Sequence, residues 1–374
     1  MPVQDSMMAP QAAPVKVALA PAQNAFHSLF LLGEVEHLSG LSEWVIRVAG
    51  SFTPEERHTH ALIFWGLHYA ALPERDWPSF PAYLTYLAAL DPVVLRDKML
   101  MAYARFPLLE GEEKSGKLCE VPASFDMKEV LNDVDSYLRF LKARFPLHKI
   151  DEAIEAEAYT YALDPPAMQT LIVSFLQRLW KEHLAEEWRR VEPMLRDAVE
   201  AFQQVDLSRM ERLEAARFIT GQELEADHWQ EILTDARGIT FVPSAHVGPY
   251  VRKYCMGGET LWVLFGARLP EGSPVQAPDL SRTEIVVRLN ALADETRLQI
   301  LRLIADAGEL PSQEVMNRLG LSQSATSRYL QQLSATGYLT ERRCNGAKCY
   351  SLNPRRVEDT LRAIGSFLLG SYQC

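Results

Sequence analysis

Ser322, Gln323, Ser324, Thr326, Ser327, Arg328 and Gln331 crowd one short segment in the last quarter of the chain. Gln and Arg can each make paired hydrogen bonds to the edges of adenine and guanine, and small hydroxylated residues at a helix start let backbone approach phosphates. A few residues further on, Arg342, Arg343 and Lys348 flank Asn345 and Gly346. Asn-Gly is a strong signal for a tight hairpin, and cations beside it are placed for a minor groove or flanking phosphates. In isolation, such a polar stripe is a solvated helix face and such cations serve solubility. Their succession in one short stretch favours contact with double-stranded DNA. Cys344 and Cys349 oppose each other across the same turn, where a disulfide would alter the hairpin's fit, so they are a candidate redox pair.

The remaining candidate chemistry is thin. His58, His60 and His68 lie in one helical region with Phe64, Trp65 and Tyr69, but residues two apart point to different helix faces, so packing is the favoured reading. Pro243 to Tyr250, with His246 and Gly248, could line a cleft, yet it has no nucleophile or phosphate-loop pattern. The five cysteines, at 119, 255, 344, 349 and 374, form no zinc pair or disulfide framework, and reduced thiols are the expectation. No metal, cofactor or enzyme motif is expected.

Several elements must position the DNA-reading segment. The apolar spacing predicts helices over Ile285 to Leu292, from near Asp294 through Ile304, over Ser312 to Leu319, and over Gln323 to Thr336. Gly320 can take the positive φ of a sharp interhelical turn, Leu321 can plug the space between helices, and Ser322 can cap the next helix. In that helix Ala325, Leu330 and Leu333 form the packed face. Gly337 stops it, and Tyr338 to Arg343 and Lys348 to Leu352 read as two strands. A last helix, Arg356 to Leu369, carries Val357, Leu361, Ile364, Phe367 and Leu368, and with Ile285 and Leu289 it would form a dimer seam.

Three stretches in this order, LADETRLQILRLI (292–304), GLSQSATSRYLQQLSATGYL (320–339) and the ERRCNGAKCYSL hairpin, resemble the ArsR family of winged-helix repressors. The resemblance covers about a quarter of the chain. It implies a homodimer joined by the first and last helices of the domain, with one recognition helix per half-site of an inverted repeat. It also implies that Gln323, Ser324, Thr326, Ser327 and Arg328 read DNA, with Arg342, Arg343 and Lys348 in the wing. Where metal-sensing members carry a cysteine pair after Glu-Leu, this chain has Glu309-Leu310-Pro311-Ser312-Gln313, and its last helix has no histidine, so metal sensing at those places is not expected. Tyr329 stands where histidine is common in the family.

The chain of 374 residues carries a net charge of −11, unusual for a nucleic-acid partner. Residues 281–374 nevertheless hold 12 basic and 9 acidic residues, or +3, which leaves −14 for residues 1–280. Eleven of those twelve cations are Arg, whose planar fork suits phosphates and guanine edges.

The segment before the domain reads as amphipathic helices at Leu41 to Ala49, Glu55 to Ala71, Pro81 to Leu90, Pro92 to Arg105 and Met127 to Phe145, with Asp164 capping another. Ser208 with Glu211 has capping-box spacing and Gly221 marks a stop. Gly238 to Tyr254 and Thr260 to Leu269 are β-rich around Gly257 and Gly258. The predicted class is therefore mainly α. A disordered tail (1–22) precedes a helical domain closing in a small β-hairpin or sheet (23–265), a Pro/Gly/Ser-rich linker (266–281) and a winged helix-turn-helix domain (282–374).

No stretch is long and apolar enough for a membrane span, and a cytoplasmic location is expected. Two roles stay open for the helical domain: a sensor for a small-molecule effector, or a dimerisation platform. The expected function is a transcriptional repressor and not an enzyme; the alternative is an adaptor that docks a protein through the winged helix.

Overall fold

The computed structural model describes residues 15–106, 125–147, 150–224, 226–256, 260–270, 273, 278–344 and 347–369. The N-terminal unit opens with strand β1 (Val15–Val17) and helix α1 (Pro21–Phe30), followed by α2 (Glu43–Ser51), α3 (Pro54–Ala61), α4 (His68–Ala71), α5 (Phe80–Ala89) and α6 (Pro92–Ala104). Next come α7 (Met127–Val130), α8 (Val134–Lys142), α9 (Glu152–Leu163), α10 (Pro165–Leu179), α11 (Ala185–Gln203), α12 (Arg212–Thr220) and α13 (Ala226–Asp235). Strands β2 (Gly238–Ser244), β3 (Arg252–Met256) and β4 (Thr260–Gly266) complete it.

Side-chain caps explain many of these starts. Ser42, Thr53, Ser79, Asp91, Asp133, Asp151 and Asp164 each accept a backbone N–H of the first turn, and Thr53 with Glu56 closes a reciprocal box. The expected box of Ser208 and Glu211 does not form. Ser208 lies in a 3-10 turn headed by Asp206, and Glu211 precedes α12 without capping it, because Asp206 is two residues before Ser208 and takes its N–H. The predicted helix over Glu55 to Ala71 is interrupted by a π-helical turn at Leu62–Gly66, where Gly66 lets α9 approach so closely that a Cβ would meet Ala158 at 2.9 Å. Met127 to Phe145 is likewise two helices, since Asp133 starts a new one by capping Ser136.

The sheet order is β1-β2-β4-β3, with β1, β2 and β4 parallel and β3 antiparallel to β4. It is thus more than a terminal hairpin: only β3 and β4 are antiparallel, and the expected turn at Gly257 and Gly258 lies outside the described residues. β1 belongs to a stretch read as tail. Its three residues are too short for a period-two signal, and the partner that fixes them is more than 200 residues away. The part of the expected tail before Val15 lies outside the described residues.

One sheet face, with Ile239, Phe241, Leu261, Val263 and Phe265, packs on Phe202, Ile219, Trp229 and Leu233 from α11, α12 and α13. The other, with Val242, Trp262 and Leu264, meets Ala20 at the start of α1. A large helical core from α1 to α10 makes up most of the remainder.

The C-terminal unit comprises α14 (Pro278–Leu292), α15 (Glu295–Ala307), β5 (Glu309–Pro311), α16 (Ser312–Leu319), α17 (Gln323–Ala335), β6 (Leu339–Cys344), β7 (Ala347–Leu352) and α18 (Pro354–Leu369). Because β4 runs to Gly266 and α14 begins at Pro278, the connection is shorter at both ends than the sequence suggests. Ile300, Ile304, Val315, Leu330, Leu333, Tyr338 and Tyr350 form its own core, against which Leu321 packs as expected. The three-stranded sheet is ordered β5-β7-β6.

Candidate nucleic-acid interface

The turn between α16 and α17 is built as the sequence requires. Gly320 takes φ +62°, and Ser322 Oγ accepts the Ala325 N–H at 3.2 Å. Asp294 caps α15 in the same way through the Arg297 N–H at 2.9 Å. Behind the turn, the Arg297 guanidinium is buried and donates to the carbonyls of Ala291 and Asn290, binding α14 to α15.

Along α17, Gln323, Ser324, Ser327 and Gln331 are exposed and Ser322 stands at its head. Two expected readers depart from that face. Thr326 is buried, and its hydroxyl turns back to donate to the Ser322 carbonyl at 2.9 Å. Arg328 is half-buried beside the Tyr329 ring, with its Nε buried and unbonded among the described residues. The other end of α17 was not foreseen. Gln332 is buried against Gly40, and Ala335 packs on the large helical core, so the helix is seated on the N-terminal unit as well as its own. Between them runs a cleft of about 1450 Å³, with Ser327, Gln331 and Lys348 on one wall and Arg217, Trp229 and Lys253 on the other.

The wing forms with Arg342 opposite Cys349, and with Arg343 opposite Lys348. Arg342, Arg343 and Lys348 are exposed. Arg342 makes a two-pronged pair with Glu309 at 2.5 Å, which raises the guanidinium pKa and depresses that of the carboxyl. Lys348 pairs with Glu341 at 2.5 Å. Cys344 and Cys349 are joined as a disulfide with Cα atoms 6.0 Å apart, which corrects the expectation of reduced thiols. The β-ladder places their side chains on one face, two residue pairs from direct register, within reach of each other. Glu309 lies within 4.8 Å of both sulfurs, the one such group of potential metal ligands among the described residues, though sulfur is engaged with sulfur and the carboxylate with Arg342.

On the seam predicted for dimerisation, α14 and α18 pack on each other and leave large apolar side chains outside. Leu289, Leu361 and Leu368 are 39%, 63% and 71% exposed, and Val286 and Phe367, one not singled out in the sequence and the other not assigned to the seam, join them. Ile285 and Ile364 are half-buried, while Val357 packs against the winged-helix core.

Sequence reasoning missed a buried polar chain in the N-terminal unit. The Ser28 hydroxyl lies 2.7 Å from His246 Nδ1, and His246 Nε2 lies 3.0 Å from Glu187 Oε1. Burial lowers the His246 pKa against the opposing pull of Glu187, and the Ser28 hydroxyl also donates to the Asn24 carbonyl at 2.8 Å. Burial alone would raise the Glu187 pKa; hydrogen bonds from His246 and Arg190 outweigh it and hold it at about 2. Ser28 is fully buried on α1, so the chain pins α1, α11 and the β2–β3 connection together. Only the fold brings 28, 187 and 246 together, because they lie far apart in sequence.

A helix-turn-helix followed by a two-stranded wing, with β5 as the third strand of its sheet and an exposed polar face on α17, defines the C-terminal unit as a winged-helix DNA-binding domain. A family model described as winged helix-turn-helix DNA-binding matches residues 294–340. The transcriptional activator HlyU of Vibrio cholerae is 36% identical over 90 residues, 24% of this chain and 82% of that protein. The chain belongs, through its last quarter, to the ArsR family of winged helix-turn-helix transcriptional regulators. The arsenic resistance transcriptional regulator ArsR2 of Pseudomonas putida is 45% identical over 64 residues, 17% of this chain and about half (56%) of that protein. The solved structure of NolR from Sinorhizobium fredii matches at 30% identity over 26% of this chain and 96% of its own, with a TM-score of 0.21. No helix among the described residues is long and apolar enough to cross a membrane.

Proposed function

We propose that this DNA-binding regulator is a repressor that grips an inverted-repeat operator as a homodimer and takes a non-metal signal through its N-terminal unit. The carrying observation is the exposure of Gln323, Ser324, Ser327 and Gln331 on α17 together with that of Arg342, Arg343 and Lys348 on the wing that follows it. The helix supplies groups that read base edges, and the wing supplies cations for phosphates.

Dimerisation is supported by Val286, Leu289, Leu361, Phe367 and Leu368, which form an apolar surface that one chain leaves uncovered. A two-fold axis through that seam would present two recognition helices to two half-sites. Repression would follow from a dimer occupying the operator in place of polymerase, in the cytoplasm. No catalytic role is assigned: the Ser28–His246–Glu187 chain has the residue types of an acyl-transfer site, but its hydroxyl is closed to substrate.

Sedimentation of the wild type and of Leu361→Glu tests the seam. A dimer that becomes a monomer, with loss of binding to a two-half-site DNA, supports the reading; an unchanged mass rejects it. The adaptor reading draws on the net charge of −11, and it predicts no steep salt dependence with DNA.

A further inference from the structure

Where the two units meet, three arginines converge on one glutamate. Arg268 follows β4, Glu284 and Arg288 lie on α14, and Arg356 lies on α18. Arg288 pairs with Glu284, Arg268 Nε approaches the same carboxylate at 3.8 Å, and the Arg268 and Arg288 side chains are only 12% and 14% exposed. Arg356 Nη2 donates to the Gly221 carbonyl at 2.7 Å, and Arg268 Nη1 donates to the Phe218 carbonyl at 2.9 Å. Both acceptors belong to the C-terminal end of α12, where Gly221 takes φ +66°. A Cβ at Gly221 would meet the Arg268 guanidinium at 2.7 Å, and one at Gly337 would meet Arg356 Nε at 2.6 Å, so both glycines leave room for the guanidiniums. A cavity of about 70 Å³ opens among these groups, lined also by Thr220 and Gln222.

Three guanidiniums against one carboxylate leave +2. The end of the α12 dipole returns only about half a charge. Burial, and then the neighbouring Arg288, lower the pKa of Arg356, in keeping with uncompensated positive charge. Planar guanidinium forks match oxyanions in geometry, and a site shielded from water strengthens the attraction. The volume of about 70 Å³ suits about two waters or one small oxyanion, by comparison with about 30 Å³ of liquid per water.

We propose that this junction is an effector site for a small doubly charged oxyanion, a phosphate or a short dicarboxylate, bound between Arg268, Arg288 and Arg356. The inference rests on the regulator reading for its consequence and not for the site itself. A bound dianion would tie α12 and the end of β4 to α14 and α18. It would thereby hold Ser327 and Gln331 facing the N-terminal wall of the cleft, and so weaken DNA binding.

The test is calorimetric titration of the full chain, without DNA, with inorganic phosphate and separately with succinate, ionic strength being held constant with chloride. Saturable binding of one of them, one per chain, is expected. It should weaken roughly tenfold or more in Arg288→Gln and Arg356→Gln, as loss of a charged hydrogen bond implies. Glu284→Gln should instead tighten it, since the junction becomes more positive; a purely structural clamp predicts no such gain. The Glu284→Gln result and the wild-type titration decide the matter even if an arginine variant unfolds.

Absence of saturable binding beyond the chloride control for both anions overturns the site. The anion that binds should also lower DNA affinity in the wild type and not in Arg288→Gln; equal effects overturn the coupling. Anion binding by a chain with no DNA affinity would instead sink the regulator reading and leave the site standing.

Discussion

Thr326 Oγ1 and Thr326 N both address the Ser322 carbonyl oxygen, each at 2.9 Å, so a residue with the composition of a base reader is part of the helix's own first turn. Thr326→Val keeps the shape and removes the hydroxyl bond. It should cost about 1 kcal/mol in urea unfolding and leave DNA affinity unchanged. Ser327→Ala, one position along on the exposed face, should do the reverse. If Thr326→Val instead weakened DNA binding at unchanged stability, the hydroxyl would have to face DNA in the complex.

Arg342 and Lys348 have acidic partners within the wing sheet, Glu309 and Glu341 respectively. Exposed pairs of this kind add little stability, yet they compete with phosphate for the same cations. Glu341→Gln should therefore leave the melting temperature nearly unchanged, tighten DNA binding at low salt, and steepen the log-affinity against log-salt slope by roughly 0.9 for one added phosphate contact. A slope equal to that of the wild type would show that Lys348 makes no such contact.

The Cys344–Cys349 bond closes the wing hairpin two residues from Arg342 and one from Lys348. We propose that it tunes the wing, which is ordered for DNA when oxidised and looser when reduced. Anisotropy with a reductant should show weaker DNA binding for the wild type and no change for the Cys344→Ser, Cys349→Ser double variant. Equal affinities in oxidised and reduced wild type would remove the idea.

Stability should depend on pH from both sides. Burial, partly offset by hydrogen bonds to the Leu29 and Phe64 carbonyls, lowers His60 and His68 to about 4 from an ordinary 6.5. Their contribution is complete above pH 6.5 and is lost as pH falls toward 4, where the unfolded chain takes up protons that the native state refuses. Glu155 runs the other way. Burial, reinforced by Asp151, raises it from an ordinary 4.5 to about 8, so its contribution is complete below 4.5 and is lost as pH rises to 8. Glu155→Gln should accordingly stabilise the protein by an amount that grows from near zero at pH 5 to on the order of a few kcal/mol at pH 8. A gain independent of pH would show that the carboxyl is not held protonated.

The C-terminal unit was legible because its signals are local. Gly320, Ser322, Asp294 and the Asn-Gly hairpin each act within a few residues, and the apolar spacing of α14 to α18 faces one small core. The N-terminal unit was legible only as helices. Its sheet depends on pairing Val15 with Ile239 and Gly238 with Thr260, relations that no window of sequence contains. The same limit hid Ser28, His246 and Glu187, and the junction of Arg268, Arg288 and Arg356. Thr326 and Arg328 were misplaced for a different reason. Polar type alone does not give exposure: the hydroxyl of one bonds its own backbone, and the guanidinium of the other lies over the Tyr329 ring.

The central claim is that α17 reads DNA. Its most direct test is anisotropy of the full chain and of a Gln323→Ala, Gln331→Ala double variant, on a site selected from a randomised pool and on scrambled DNA, across salt concentrations. The account predicts tight, salt-steep binding to the selected site that falls in the variant to the level of scrambled DNA, with non-specific binding retained. Unchanged selectivity in the variant, or no selection of any site by the wild type, would contradict it.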